Sequence, residues 1–195
     1  LKNPIVLFAI ICSVFVNAQS QDSVPKNQLY IKGNALFLPL GMLNAGLEYQ
    51  LKDKITLQAD VFISPWKSLM GNHAQIYMGN LEGRYYFKEA FHHFYVGVNI
   101  GSAVFDMQKW NYINTNKFQR GFAILAGATV GYQFHLSDRW NIDVYLGGGT
   151  SQGFYHGYDE SDPDHVFIYY NDDRKWNKSG EWIPYRGGVM IGYKL

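Results

Sequence analysis

Polar and apolar residues alternate one by one along most of this chain, in stretches of roughly ten residues broken by turn formers. Eight stretches can be counted, at 29–38, 44–51, 55–64, 75–87, 94–104, 121–136, 140–150 and 184–195. A period of two sends successive side chains to opposite faces of a strand, so the pattern predicts eight strands. No stretch keeps a helical apolar period. Past the first run, no apolar segment approaches the roughly 20 residues of a spanning helix.

The two faces differ in kind. One carries Ile31, Phe37, Leu47, Leu57, Tyr77, Leu81, Val98, Ile100, Ile124, Val130, Val144, Leu146, Tyr185, Val189 and Ile191, and no charged residue. The other carries eight charges: Lys32, Arg84, Arg186 and Lys194 against Glu48, Asp60, Glu82 and Asp143. A soluble barrel would turn its charges outward and its apolar face inward. Aromatic positions favour the reverse. Tyr49, Phe87, Phe134, Trp140 and Tyr193 all lie on the apolar face, at strand ends beside the short connections, where a membrane-interface girdle belongs.

The connections alternate as well. Lys52-Asp53-Lys54, Lys88 to His93 and Ser137-Asp138-Arg139 are short, whereas 65–74, 105–120 and 151–183 are long. Short turns at one rim and long loops at the other are the pattern of bacterial outer-membrane barrels, with the long loops outside the cell. The fold class expected is therefore all-β, an eight-stranded antiparallel transmembrane β-barrel over 29–195. An inside-out soluble barrel is the alternative.

Ahead of the barrel, Lys2 precedes the apolar run Pro4–Val16, and Asn17-Ala18-Gln19 follows it. That order reads as a cleaved secretory signal over 1–18, with 19–28 as a short periplasmic segment. The competing reading is a lipoprotein signal modified at Cys12, but the bulky Ile11 before it suits that processing poorly. Cys12 is the only cysteine, which excludes disulfides within the chain and zinc sites built on cysteine.

Composition sharpens the picture at two points. A formal net charge of +1 on 195 residues gives no electrostatic footprint for nucleic acid. The 15 Tyr, 13 Phe and 5 Trp are rich for a soluble domain and supply what girdles require. Mean hydropathy, −0.20, argues against a helical membrane protein but not against a barrel with a polar interior.

Several short motifs are similar to those of the small Bacteroidetes outer-membrane barrels grouped as domain of unknown function 3575. They are Lys32-x-Asn34-x-Leu36, Asn44-Ala-Gly-Leu-Glu-Tyr49, Pro65-Trp66, Glu82-x-Arg84-Tyr85, Gly131-Tyr132 and Arg139-Trp-Asn-Ile-Asp143. Asp143 departs conservatively from the Glu more usual there. The resemblance covers about residue 29 to the end. It implies topology and location, and transfers no catalytic residue.

Candidate chemistry is sparse. Gly149-Thr-Ser151-Gln-Gly153 fits the nucleophile-elbow pattern, but that motif works on a strand-to-helix turn and no helix is predicted after it. Asp159-Glu-Ser-Asp-Pro-Asp-His165 with Asn171-Asp172-Asp173 offers oxygen ligands, interrupted by Pro163 and without the spacing of a Ca²⁺ loop. His92 and His93 are adjacent in a short turn and cannot share one ligand face. Gly147-Gly148-Gly149 lacks the Lys of a phosphate loop. No metal or cofactor is expected.

Eight strands leave an interior only wide enough for side chains. The balanced inward charges, with Tyr30, Phe62, Tyr86, Tyr95 and Tyr145, therefore read as a hydrogen-bonded plug. The function expected is a non-enzymatic barrel of a Gram-negative outer membrane, a monomer in contact with lipid and lipopolysaccharide. Its long loops, above all 151–183, would bind an extracellular or envelope partner or brace the envelope. A barrel enzyme acting on lipid or lipopolysaccharide and a narrow channel are the alternatives.

Overall fold

A computed structural model of the chain describes residues 28–69, 71–109, 115–167 and 176–195, with the side chains of 163–167 left out. The expected signal segment with Cys12, residues 19–27, and Asn171 to Asp173 lie outside the described residues. The strands are β1 (Leu29–Asn34), β2 (Leu43–Lys52), β3 (Ile55–Ser64), β4 (Ala74–Tyr86), β5 (His93–Met107), β6 (Lys117–His135), β7 (Trp140–Asp159), β8 (Asp162–Phe167) and β9 (Asn177–Lys194).

Eight of them form a closed antiparallel ring in the order β1-β2-β3-β4-β5-β6-β7-β9, sealed where β1 pairs with β9. Strand β8 hangs on β7 outside the ring. One circuit along cross-strand partners starts at Ile183 and passes Gly149, Gly127, Asn99, Glu82, Gln58, Glu48 and Tyr30 to reach Lys194. Lys194 is eleven residues beyond Ile183, and one of the eleven is the bulged Tyr185, so the shear is ten. With eight strands, a shear of that size corresponds to a strand tilt of about 40°.

Alternation sets the two faces as expected across most of the ring. Outward residues are apolar and open, with Val98 71% and Ile100 and Leu146 each 63% exposed. Inward residues are polar and buried, including Lys32, Glu48, Gln58, Glu82, Arg84, Gln133 and Asp143. That inversion of a soluble protein's polarity is the main fact of the fold.

Two positions expected on the outer face turn inward. Strand β1 ends at Asn34 rather than 38, and Phe37, beyond it, packs edge-on against the inward Phe62 at 5.2 Å. The bulge between Gly147 and Gly148 leaves Tyr185 without a partner on β7, and the extra residue rotates its ring into the lumen beside Arg186.

The expected long loop 151–183 is largely sheet. Strand β7 runs on to Asp159, and β9 begins at Asn177 rather than 184, so with β5 and β6 they rise as a wall above the shorter β1, β2 and β3. The glycines up to 149 lie within β7, as the expected strand 140–150 has them, and are packing residues. A Cβ on Gly149 would come within 2.2 Å of the Ala126 carbonyl oxygen, so the close approach of β6 to β7 needs its absence.

Candidate functional site: the charged lumen

Parity places the inward charges, and their lengths let them meet across the ring. Glu48 on β2 is the hub. Its carboxylate contacts the Lys32 ammonium and accepts from Arg84 Nη1 at 3.1 Å, Gln133 Nε2 at 3.0 Å, Tyr86 OH at 2.7 Å and Thr56 Oγ1 at 2.5 Å. Asp143 on β7 faces it, accepting from Lys32 Nζ at 2.9 Å, Arg84 Nη1 at 2.7 Å and Tyr95 OH at 2.8 Å. The Arg84 guanidinium lies 4.5 Å from the centre of the Tyr95 ring and also donates through Nε to Glu82 at 2.9 Å. A Cβ on Gly131 would fall 2.5 Å from that same Tyr95 ring, so glycine there makes room for it.

A second tier continues the chain of charges. Arg186 donates to Glu82 at 3.1 Å and to Asp60 at 2.7 Å, and Asp60 also accepts from Gln58 at 3.1 Å and Asn80 at 3.4 Å. Seven of the eight expected charges thus form one connected, buried network spanning β1, β2, β3, β4, β7 and β9. Lys194 does not join it. It stands half-exposed at the lumen mouth, and among the described residues it makes no ion pair. The connected set therefore holds three cations against four carboxylates, a formal charge of −1 in place of the expected balance.

Apolar residues close the network at both ends. Below, the turn after β4 drives Phe91 and Ala90 into the barrel floor, where Phe91 meets the Tyr30 ring at 4.5 Å. Phe91 takes φ +66° to do so, a conformation costly for a residue with a bulky side chain. Above, Ala103, Ala123 and Leu125 pack with Met78, Phe105 and Tyr185. Phe91 carried no readable signal in the sequence, since a short turn gives no periodicity to assign its side chain.

Of the remaining candidates, those among the described residues fall as follows. Gly149 to Gly153 lies within β7, so Ser151 sits on an extended strand and not on an elbow. Asp159 binds the Ser161 amide at 3.0 Å and contacts its hydroxyl, a local turn between β7 and β8. His92 stacks on His135 at 4.6 Å, while His93 Nδ1 lies 2.9 Å from Tyr132 OH. Partial burial holds the His92 imidazole below its ordinary pKa, with the neighbouring His135 and His93 acting in the same direction and Glu89 opposing them.

Pattern reading missed one polar cluster altogether. His73, in the β3–β4 connection, places Nδ1 at 2.8 Å from Asp106 and Nε2 at 2.8 Å from Glu160. Its ring stacks 4.2 Å from Phe118, and Arg120 forks onto Asp106 at 2.7 and 3.0 Å. Both ring nitrogens are engaged, so His73 ties a loop to the raised wall. His73, Asp106 and Glu160 lie more than thirty positions apart in the chain, which hid them.

The five expected girdle residues, Tyr49, Phe87, Phe134, Trp140 and Tyr193, stand at the short-turn rim. There Trp140 packs on Tyr193 at 4.8 Å, and Phe134 on Tyr132 at 4.5 Å. A second outward aromatic set, Trp66, Tyr77, Phe122, Trp176 and Trp182, stands toward the opposite rim.

A closed ring of eight antiparallel strands, apolar outside and packed with charge inside, defines the class: a small β-barrel of inverted polarity. The chain belongs to the family described as Protein of unknown function (DUF3575), which it matches over residues 5–194. No curated protein and no solved structure matches it.

Proposed function

We propose that this protein is an outer-membrane β-barrel of a Gram-negative bacterium, non-enzymatic and plugged, that presents its raised wall and loops outside the cell. The carrying observation is an apolar belt bounded by two aromatic rings around an interior of buried charge. From Phe134 to Phe122 on β6 is twelve residues, and from Tyr85 to Tyr77 on β4 is eight. At about 3.3 Å per residue and a tilt of about 40°, those spans project to roughly 30 and 20 Å, bracketing the ~25 Å apolar band of such barrels. In water the same surface would be an exposed patch far beyond what soluble monomers carry.

The plug argues for scaffold or adhesive roles over transport. Paired buried charges, an apolar floor and an apolar upper layer support a lumen without a continuous water path. Planar-bilayer recordings of the purified barrel test this. Absence of unitary current is expected, and steady ion-selective steps from the wild type would replace the plugged barrel by a channel. The partner is proposed to meet the wall formed by β5, β6, β7 and β9, exported there behind the cleaved signal segment 1–18.

A further inference from the structure

Strand β1 is too short for its place. Its last pair with β9 is Asn34 with Met190, plus one bond from the Ala35 amide to the Val189 carbonyl at 2.9 Å. Strand β9 continues thirteen residues further to Asn177, paired on its other side with β7. Trp182, at the upper aromatic ring, lies eight residues beyond Met190, one of them the bulged Tyr185. That leaves a notch about 15 Å deep in the ring wall, at the level of the apolar band.

Four features end the pairing at this one place. Pro184 has no amide to offer. The bulge at Tyr185 turns β9, and Gly188 adopts φ +141°. The Asn34 side chain stands in for the missing strand, accepting from the Val189 amide at 3.2 Å and donating to the Gly187 carbonyl at 3.1 Å. An open sheet edge facing hydrocarbon is normally not tolerated, so a wall built to stop here has had its edge disarmed.

The lips of the notch are apolar. Leu36, Leu38, Leu40 and Leu43 flank one side and Trp182 the other, each at least 46% exposed. Residues 36–41 form a tongue with one 3₁₀ turn, braced where Trp66 Nε1 donates to the Leu40 carbonyl at 2.8 Å. Behind the tongue, Phe37 on Phe62 separates the notch from a cavity of about 70 Å³ against Arg186 and Asp60.

Resting on the membrane reading above, we propose that this notch is a lateral site for one acyl chain of an outer-leaflet lipid, with Phe37 as its inner wall. A partner strand fits less well, because Pro184 lacks an amide and the Asn34 side chain already occupies the Val189 amide and the Gly187 carbonyl, the groups with which strand addition would start. An acyl chain needs none, and the leucine lips continue the lipid-facing belt.

Fluorescence quenching in vesicles tests the site. Barrels with every native Trp replaced by Phe would carry one reporter each: F37W in the notch wall, L36W on its lip, or V144W on the plain belt. Each is reconstituted into phosphatidylcholine vesicles, either unmodified or brominated midway along the acyl chains. The site predicts that F37W and L36W lose a fraction of their emission comparable with V144W. If F37W fails to fold, L36W together with native Trp182 as sole reporter gives the same reading. Strong quenching of V144W with none at the notch reporters would mean the tongue seals the gap, and would overturn the proposal. No quenching of V144W either would overturn the membrane reading as well.

Discussion

Arg84→Met tests the interior most severely. The guanidinium bonds three carboxylates at once, Glu48 at 3.1 Å, Asp143 at 2.7 Å and Glu82 at 2.9 Å, and its residue is 1% exposed. Removing it leaves Lys32 and Arg186 as the only cations of the network, facing Glu48, Asp60, Glu82 and Asp143, so the formal charge falls from −1 to −2. Methionine keeps much of the volume, so cavity formation is a minor part of the cost. Breaking a buried ion pair by deleting one partner costs about 3–5 kcal/mol, because the other charge stays buried without compensation. Urea unfolding in lipid vesicles, followed by tryptophan emission and the gel shift between folded and boiled forms, measures it. The double variant Arg84→Met/Glu82→Gln removes one uncompensated carboxylate and should be less destabilised than the two single changes summed. A loss below about 1 kcal/mol for Arg84→Met, or strict additivity in the cycle, would refute the network as an energetic unit.

Neighbouring residues on β7 separate the faces: Val144→Arg should cost about 2–4 kcal/mol in lipid, whereas Tyr145→Arg disturbs only lumen packing. The same urea titration checks this, and a larger loss for the second would shift the register by one. The turn at the barrel floor should loosen in acid. The folded-state pKa of His92 lies below its unfolded value, so its neutral form stabilises the fold above the unfolded histidine pKa, and that contribution is lost as pH falls toward the folded one. Protection factors of the amides of 87–93, which correct for the intrinsic slowing of exchange in acid, should therefore fall from pH 7 to pH 5, and His92→Gln should flatten the response. Unchanged protection factors in the wild type would remove His92 from the account.

Most of the ring was legible because alternation is strict wherever one face meets charge and the other does not. Lys32, Glu48, Glu82, Arg84 and Asp143 fall on inward parity without exception, and strand pairing alone brings them within reach. Legibility ended where parity breaks. Tyr185 follows a bulge that no composition signals, and Phe37 lies beyond the point where β1 stops pairing. Ser151 and Gly153 look like a loop because small residues suit turns and closely packed strands alike. Lys194 shares the parity of the network but not its depth, so its side chain reaches the mouth and water. His73, Asp106 and Glu160 come from the β3–β4 connection, the end of β5 and the turn after β7, and meet only once the wall is built.

The most direct test of a membrane barrel with a charged interior is a scan of single spin labels along β7. A chain starting at Gln19 has no cysteine of its own, so labels at 141 to 146 are unambiguous. In reconstituted vesicles, labels at 142, 144 and 146 should be open to oxygen and shielded from a water-soluble nickel chelate. Labels at 141, 143 and 145 should be shielded from both. High nickel accessibility at 142, 144 and 146 would put the apolar face in water and contradict the account.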